Sequence, residues 1–444
     1  MSAPWPTVKL GEVVDSVQRP EVPIPGTNYR QIGVRLWGEG AYEREPIDGA
    51  ETRYAQLYRA ETDDVIVNKI WARNGSVAVV HASLAGTYGS GEFPMFSPHR
   101  ASLDPRWIHW LTKTRGFWEQ CDEKSRGTSG QNRIRPERFL EIEIPLPPLP
   151  EQRRIVGKIE ELAAQIEDAL ALRSEAETER SVLWSSILQH TLLGANSAPC
   201  EGDMAAEEML ASAAKRYART PISIHNNATP NRPAFMPTGP APLPSGWAWT
   251  TLGSVLTHLI DCVNDTPDFS EESTGLLGLK STNIRPYKLD LNQRWYMTRS
   301  DFDRWNRREK PEAGDIILTR EAPMGNACIL PDGVEVCLTQ RLLLLRANVE
   351  VIEPDLLLHY LNSSIFQEQV RDQCRGLTTP HIRVQDAPGF LLPLPPKQRQ
   401  AEIVHDLRDI KTGLDDLKGA QAHLGEELRA LLPSILDHAF RGEL

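Results

Sequence analysis

The strongest constraint on this chain is that it repeats itself. Residues 144–156 read IPLPPLPEQRRIV and residues 392–404 read LPLPPKQRQAEIV, while residues 186–194 read SILQHTLLG and residues 434–442 read SILDHAFRG. The Ile-Val and Ser-Ile-Leu landmarks both lie 248 residues apart, so the segment between them has the same length in both copies. Further landmarks pair in the same order. Leu10-Gly11 matches Leu252-Gly253, Asp64-Val65-Ile66-Val67 with Gly75 matches Asp315-Ile316-Ile317-Leu318 with Gly325, and His109-Trp110-Leu111 matches His359-Tyr360-Leu361. Arg126-Gly127 matches Arg375-Gly376, and Arg133-Ile134-Arg135 matches His381-Ile382-Arg383, with offsets drifting only between 242 and 251. A repeat fixes architecture before any element is assigned. The chain is two copies of one unit, each a globular part of about 145 residues followed by a shared distal segment.

The distal segment reads as a long helix. Pro147-Pro148 and Pro395-Pro396 cannot sit in a helix interior and mark its start. Beyond them Ile403, Leu407, Ile410, Leu414, Leu417, Gln421, Leu424, Leu428, Leu431 and Ile435 keep an unbroken 4,3 spacing, a coiled-coil pattern. Pro433 is expected to kink or end the helix just before the last of them. The first copy runs Ile155, Ile159, Leu162, Ile166, Ala169, Arg173, Ala176, Arg180, Leu183 and Ile187. Arg173 stands opposite Gln421 in the alignment, and one polar seam position can fix register. An antiparallel partner could cover the two arginines with acids such as Glu426 or Glu427.

The globular parts read as mixed α/β, giving an α+β fold class. Val65–Val67 and Ser76–Val80 are strand-like, as are Ile316–Leu318 and Ala327–Leu330; Trp107–Cys121 and Pro354–Cys374 read as helices. A Pro/Gly/Asn-rich stretch between the copies is a linker, within which Ala205–Ala218 could be a short helix. The expected segments are 1–145 and 244–393 for the globular domains, 146–194 and 394–444 for the long helices, and 195–243 for the central linker.

Composition narrows the function. Hydrophobic residues make up 40% and charged residues 25%, which suits globular domains. The net charge of −11 lacks the basic footprint usual for a nucleic-acid binder. The deficit is spread along the chain, −1 over residues 1–143 and −5 over 244–391. Cys121, Cys200, Cys262, Cys328, Cys337 and Cys374 show no C-x-x-C pair, so reduced thiols in a cytosolic protein are expected and no metal site. No leader-like or membrane-length apolar run occurs, so a soluble protein that is not exported is expected. Motifs for phosphate cradling, for an amino-methyltransferase and for a metal-dependent nuclease are absent, as are G-x-S-x-G and H-E-x-x-H. His81 and His109 are more readily explained as packed or surface residues than as catalysts, and no catalytic residue is assigned.

The paired P-L-P-P-x-x-x-Q-x-x-I-V segments, the run Gly-Asp-Ile-Ile-Leu-Thr-Arg at 314–320 and the two-unit layout resemble the specificity (S) subunit of type I restriction-modification systems, over nearly the whole chain. This resemblance implies two tandem pseudo-symmetric target-recognition domains separated by two helices packed as an antiparallel coiled coil. Each domain would read one half of a bipartite, asymmetric site on double-stranded DNA. The helices would set the spacer and dock two methyltransferase (M) subunits, which bring S-adenosylmethionine; this chain itself would hold no cofactor. Motor-endonuclease (R) subunits would join for cleavage, in a prokaryotic cytoplasm. From Ile155 to Ile187 is 32 residues, and roughly 48 Å of helix exceeds the 34–36 Å turn of B-DNA. With no basic segment, the chain alone should bind DNA weakly and salt-sensitively, the M subunits supplying much of the positive clamp.

Base-reading candidates are polar residues on loops at paired positions. Arginines number 37 and lysines 12, which suits guanine, as Asn and Gln suit adenine. The first pair of loops is Arg30, Gln31 and Arg35 against Lys280, Ser281, Thr282, Asn283 and Arg285. The second is Lys69, Arg73 and Asn74 against Arg320 and Asn326. The third is Ser129, Gln131, Asn132, Arg133 and Arg135 against Thr378, Thr379, His381 and Arg383. For each residue a solvated surface role or a phosphate contact stands beside base reading. Pro148, Gln152, Pro396 and Gln400 are candidates for docking an M subunit, although chain direction and hydrogen bonding to the neighbouring domain explain them equally. Two other functions stay open: a structural coiled-coil adaptor, and a methyltransferase or nuclease fusion with degenerate motifs.

Overall fold

The structure is a computed structural model that describes residues 5–125, 132–195, 204–217, 237–263, 265, 267–373 and 380–444. It divides into two compact units, residues 1–175 with 420–444 and residues 176–419. The fold is mixed α+β, and each unit is built on the same plan.

In unit 1 an antiparallel sheet runs Val14–Val17, Met95–Pro98, Val65–Val67, Val77–Val79. In unit 2 the sheet Leu256–Asp261, Leu342–Ala347, Ile316–Thr319, Ala327–Ile329 repeats that order. The central strands are buried on both faces, which is why Val65–Val67 and Ile316–Thr319 read as continuous apolar runs rather than alternating ones. A second sheet holds a parallel pair in each unit: Asn28–Val34 with Tyr88–Gly89 in unit 1, Leu277–Leu279 with Val336–Leu338 in unit 2. A two-stranded ribbon closes each globular part, Thr7–Lys9 with Glu143–Pro145 and Ala248–Thr251 with Leu391–Leu394.

The expected helix Trp107–Cys121 is two helices, Pro105–Leu111 and Arg115–Ser125. Pro354–Cys374 likewise divides into Pro354–Leu361 and Ser364–Gln373, with Cys374 outside the described residues. Side chains end the first member of each pair by taking the place of helical bonds: Thr114 Oγ1 donates to the Leu111 carbonyl, Ser363 Oγ to Tyr360 and Asn362 Nδ2 to Leu358.

The long helices span Leu149–Leu192 and Lys397–Arg441. Pro433 does not stop the second: Leu432, Ile435, Leu436, Ala439 and Phe440 flank it and pack into the unit 1 core, outweighing the roughly 3 kcal/mol that an interior proline costs. The two helices run antiparallel within each unit. In unit 1 Arg154 Nη2 donates to the Leu444 carbonyl at 2.8 Å and Arg173 Nη1 to the Gln421 carbonyl at 3.3 Å. In unit 2 Arg180 Nη1 donates to the Leu414 carbonyl at 3.3 Å. Backbone carbonyls, not Glu426 or Glu427, therefore receive the seam arginines. A Cβ at Gly425 would lie 2.9 Å from Arg173 Cζ, so this glycine makes the guanidinium's berth. Only one of the two heptad positions of the second helix meets the first: Leu414, Gln421, Leu428 and Ile435 are partly buried, whereas Ile410, Leu417, Leu424 and Leu431 are 39–56% exposed.

Each helix is tied to its globular part by one buried amide. Gln152 Oε1 accepts from the Asp104 backbone N–H at 2.8 Å while Nε2 donates to the Ser102 and Pro147 carbonyls, both at 2.8 Å. Gln400 repeats the set with the Glu353 N–H and the Val351 and Pro395 carbonyls at 2.8, 2.8 and 3.1 Å. Both side chains are fully buried inside their own unit. The linker helix, Ala206–Tyr217, belongs to unit 2, where Ala206, Met209 and Ala213 pack with Leu188, Leu192 and Trp247. Cys121, Cys262, Cys328 and Cys337 are buried free thiols.

Two predictions follow from this packing. Gln152→Ala and Gln400→Ala each leave a buried backbone N–H without its acceptor, and each lowers stability by about 1–3 kcal/mol in urea unfolding. His109 and His359, equivalent in the two copies, are both held by burial at about 4. Unfolded imidazoles take up protons near 6.5, so the unfolded chain binds protons first between those values. Stability is full above about pH 6.5 and falls as pH drops towards about 4. The urea midpoint is lower at pH 5 than at pH 7.5, and the difference shrinks in the His109→Gln, His359→Gln double variant.

Candidate nucleic-acid interface

The three loops singled out in each copy meet, and the middle loop is the junction both times. In unit 1 the middle loop leaves the buried strand Val65–Val67 through Asn68, whose Oδ1 accepts from the N–H of Ile70 at 3.1 Å. It turns at Ala72–Asn74 and ends on Gly75 at φ 74°. A Cβ there would lie 2.7 Å from Trp118, so the turn both bends the chain and lets an indole approach. The first loop docks on it by Trp37 N–H to Asn74 O at 2.7 Å and Gly38 N–H to Gly75 O at 3.1 Å, and the third by Ile134 N–H to Lys69 O at 2.9 Å.

Unit 2 builds the same junction from different residues. Ile382 N–H donates to Arg320 O at 3.0 Å, the counterpart of the Ile134 bond to Lys69. Ser281 Oγ donates to Ala322 O at 3.2 Å and Asn326 Nδ2 to Ile284 O at 3.2 Å, bringing the first loop to the middle one. The neighbouring strand end is shared too: Lys69 N–H donates to Glu92 O at 3.1 Å and Arg320 N–H to Arg341 O at 2.7 Å. Glu92 and Arg341 thus occupy one topological position with opposite charge.

The side chains divide into those turned inward and those presented to solvent. Ser281 and Asn283 are buried, and Asn283 Nδ2 donates to the Asp290 and Gln293 carbonyls, so these two shape their loop. Thr282 and Arg285 are exposed, Arg285 lying 3.8 Å from Asp290. Lys280 lies over the Trp295 and Phe269 rings. In the middle loops Arg320 is half-buried, bonding Asp261 and the Ile382 carbonyl at 2.9 Å, and Asn326 is likewise half-buried.

On the unit 1 side Glu92 Oε1 holds Lys69 at 3.7 Å and Arg133 at 3.3 Å. Arg73 Nε reaches Asn74 Oδ1 at 3.4 Å, Arg35 stacks 5.0 Å from the Tyr42 ring centre, and Asn132 and Arg135 are exposed. Arg30 and Gln31 lie on the strand Asn28–Val34. Arg30 pairs with Glu43 at 2.9 and 2.6 Å, a hydrogen bond that raises the guanidinium's pKa and lowers the carboxyl's. Gln31 Nε2 donates to the Glu45 carbonyl. In unit 2 His381 is half-buried and Arg383 exposed. Ser129, Gln131, Thr378 and Thr379 lie outside the described residues. Of the helix-start residues, Pro148 is exposed, whereas Pro396, Gln152 and Gln400 are buried.

Sequence reasoning missed the residues that frame these cations: Glu92, the exposed indoles Trp37 and Trp71, the ring pair Phe269 and Trp295, and Arg341. Arg341 could have been found by continuing the repeat offset past the strands. Among the described residues no cluster of three or more His, Cys, Asp or Glu side chains could hold a metal ion.

Residues 3–175 match the family model described as the type I restriction modification DNA specificity domain. The match covers the first globular part and the first part of the first long helix. Relatives of the chain include the type I restriction enzyme EcoBI specificity subunit of Escherichia coli, 22% identical over 68% of this chain and 58% of that one. The EcoAI specificity subunit of the same organism is 23% identical over 88% of this chain and 75% of its own length. The chain therefore matches less than two thirds of the length of the EcoBI subunit. Among solved structures, a chain from work on complex assembly and conformational transition of the type I R-M system is 23% identical with a TM-score of 0.67, covering 100% of both chains. The HsdS subunit from Thermoanaerobacter tengcongensis is 23% identical with a TM-score of 0.54, covering 99% of this chain and 97% of that one. These two structures share the fold of this chain.

Because Glu92 neutralises two cations at the unit 1 junction, Glu92→Gln frees Lys69 and Arg133 for phosphate. The expected outcome is tighter binding of the variant chain to duplex DNA and a steeper salt dependence by about one unit of log–log slope for each freed contact. Fluorescence anisotropy across a salt series measures both.

Proposed function

We propose that this protein is a non-catalytic DNA-reading subunit of a type I restriction-modification complex, each unit reading one half of a bipartite site. The observation that carries this reading is the loop junction formed twice on one backbone plan, around Lys69 in unit 1 and Arg320 in unit 2, with different side chains. A shared frame with divergent loops is what two unlike half-sites require, since base edges are told apart by side-chain donors and acceptors. In this reading methylation belongs to two M subunits that carry S-adenosylmethionine, and cleavage to R subunits, in the cytoplasm. No helix among the described residues is long and apolar enough to cross a membrane.

The partner surface is best supported on the second long helix. Ile410 and Leu417 in unit 2, and Leu424 and Leu431 in unit 1, lie at one heptad position and stay exposed, and exposed apolar side chains of this kind mark a protein contact. Pro148, at the start of the first helix, is exposed, while buried Gln152, Pro396 and Gln400 act through the helix starts they hold.

The helices serve as a ruler between half-sites. One heptad inserted into both, between Arg173 and Arg180 and between Leu414 and Gln421, adds roughly 10 Å of helix, or about three base-pair steps. Sequencing of methylated sites in cells producing the variant with its methyltransferase subunit should return the same two half-sites with a spacer about three base pairs longer. An unchanged spacer would sink the ruler, and wild-type chain that directs no methylation would sink the DNA-reading function.

A further inference from the structure

The parallel strand pair of unit 2 ends in a recess. Strands Leu277–Leu279 and Val336–Leu338 run side by side in one direction, and the residues that follow them, among them Lys280, Thr282, Gln340 and Arg341, line a cavity of about 260 Å³. Chain segments leaving the carboxyl ends of parallel strands are a recurrent place for ligands, because both loops fan out from the same edge.

Phe269 lines the recess, and Trp295 stands behind Lys280. Lys280 Nζ lies 3.2 Å from the centre of the Trp295 ring and 4.3 Å from that of Phe269. Both rings attract the ammonium through their negative faces and strip part of its hydration. That desolvation lowers the Lys280 pKa. A donor that is already partly dehydrated and held in place has less to lose on contact with an acceptor.

Across the recess Arg341 holds the left-handed conformation, φ 77°. A non-glycine residue persists there only when its surroundings impose it, and such strain gathers at functional positions. Two neighbours impose it: the Arg341 carbonyl accepts from the Arg320 N–H at 2.7 Å, and Glu321 pairs with Nε at 3.1 Å. The equivalent backbone position in unit 1 is Glu92, which binds Lys69 and Arg133 rather than presenting a cation. The cation is therefore a property of this copy and not of the shared frame.

We propose that the Lys280–Arg341 recess reads a guanine in the DNA half-site assigned to unit 2, Lys280 and Arg341 donating to its O6 and N7. This rests on the DNA-reading function proposed above. Guanine alone among the bases presents two adjacent acceptors in the major groove, whereas adenine places an amino donor where one of these cations would sit. A phosphate needs only charge and is met equally by cations on the open surface. One donor held over flat rings, with a guanidinium at the rim of the same recess, suits a planar edge.

The test uses the full chain produced with its methyltransferase subunit, with Lys280→Met, which keeps the aliphatic stem over the rings, and Arg341→Gln as a second variant. Thermal melts by circular dichroism confirm that each is folded, and methylated sites are sequenced genome-wide. The expected result is relaxation at one guanine of one half-site, sites with another base there gaining roughly five- to hundredfold relative methylation. The other half-site and the spacer stay unchanged. A uniform fall in methylation without positional relaxation identifies a phosphate contact and overturns the proposal. An unaltered motif, or relaxation confined to a position that is not guanine, also overturns it. Wild-type chain that yields no methylated motif fails the underlying DNA-reading function instead, so the two failures are distinct.

Discussion

A glutamine buried at the start of each long helix, reaching back to the globular part, is the contact on which the rest of each unit depends. A helix that leaves a domain after two prolines has no intrinsic direction relative to it. Gln152 and Gln400 supply that direction by satisfying one backbone N–H and two carbonyls apiece, on the turn that begins the helix Pro105–Leu111 or Pro354–Leu361 and on the proline that precedes the long helix. Each amide uses its oxygen and its nitrogen in a site from which water is excluded, where a lost partner costs more than a gained one returns. Apolar packing of Ile155 and Ile159 in unit 1, and of Ile403 and Leu407 in unit 2, then fixes the rotation of the helix about its own axis.

The same logic of buried polarity recurs along the helix pair. Arg173 and Arg180 stand one heptad apart, as do their acceptors Gln421 and Leu414, counted in the opposite direction. A guanidinium that donates to a main-chain carbonyl needs a gap between side chains, which Gly425 provides for Arg173. Apolar positions tolerate sliding, because one leucine contact resembles the next. These polar contacts do not, and they specify which residues face one another.

Much of this was legible in the sequence because repetition carries information that single residues lack. The 248-residue offset located both helices, both prolines and both glutamines, and the buried runs Val65–Val67 and Ile316–Thr319 fell on central strands. What stayed hidden depends on partners distant in sequence. The helix breaks at Thr114 and Ser363 arise from side chains that bond to carbonyls of the turn before, a competition that apolar periodicity does not reveal. Pro433 was outvoted by the core on either side of it. Arg173 meets a carbonyl rather than Glu426 or Glu427 because the second helix offers a glycine where it arrives. Among candidate base readers, Asn283 and Ser281 have the right chemistry and the wrong orientation, and Arg341 entered only through its hydrogen bond to the middle loop.

The closing ribbons carry one more consequence. In each unit the strand that opens the globular part, Thr7–Lys9 or Ala248–Thr251, pairs with the strand that leaves it for the long helix, Glu143–Pro145 or Leu391–Leu394. Entry and exit are neighbours, as in domains that accept insertion or circular permutation. Each globular part is thus a cassette with both ends on one ribbon, which recombination could exchange whole while the helix beyond it, and the glutamine that aims it, stay in place.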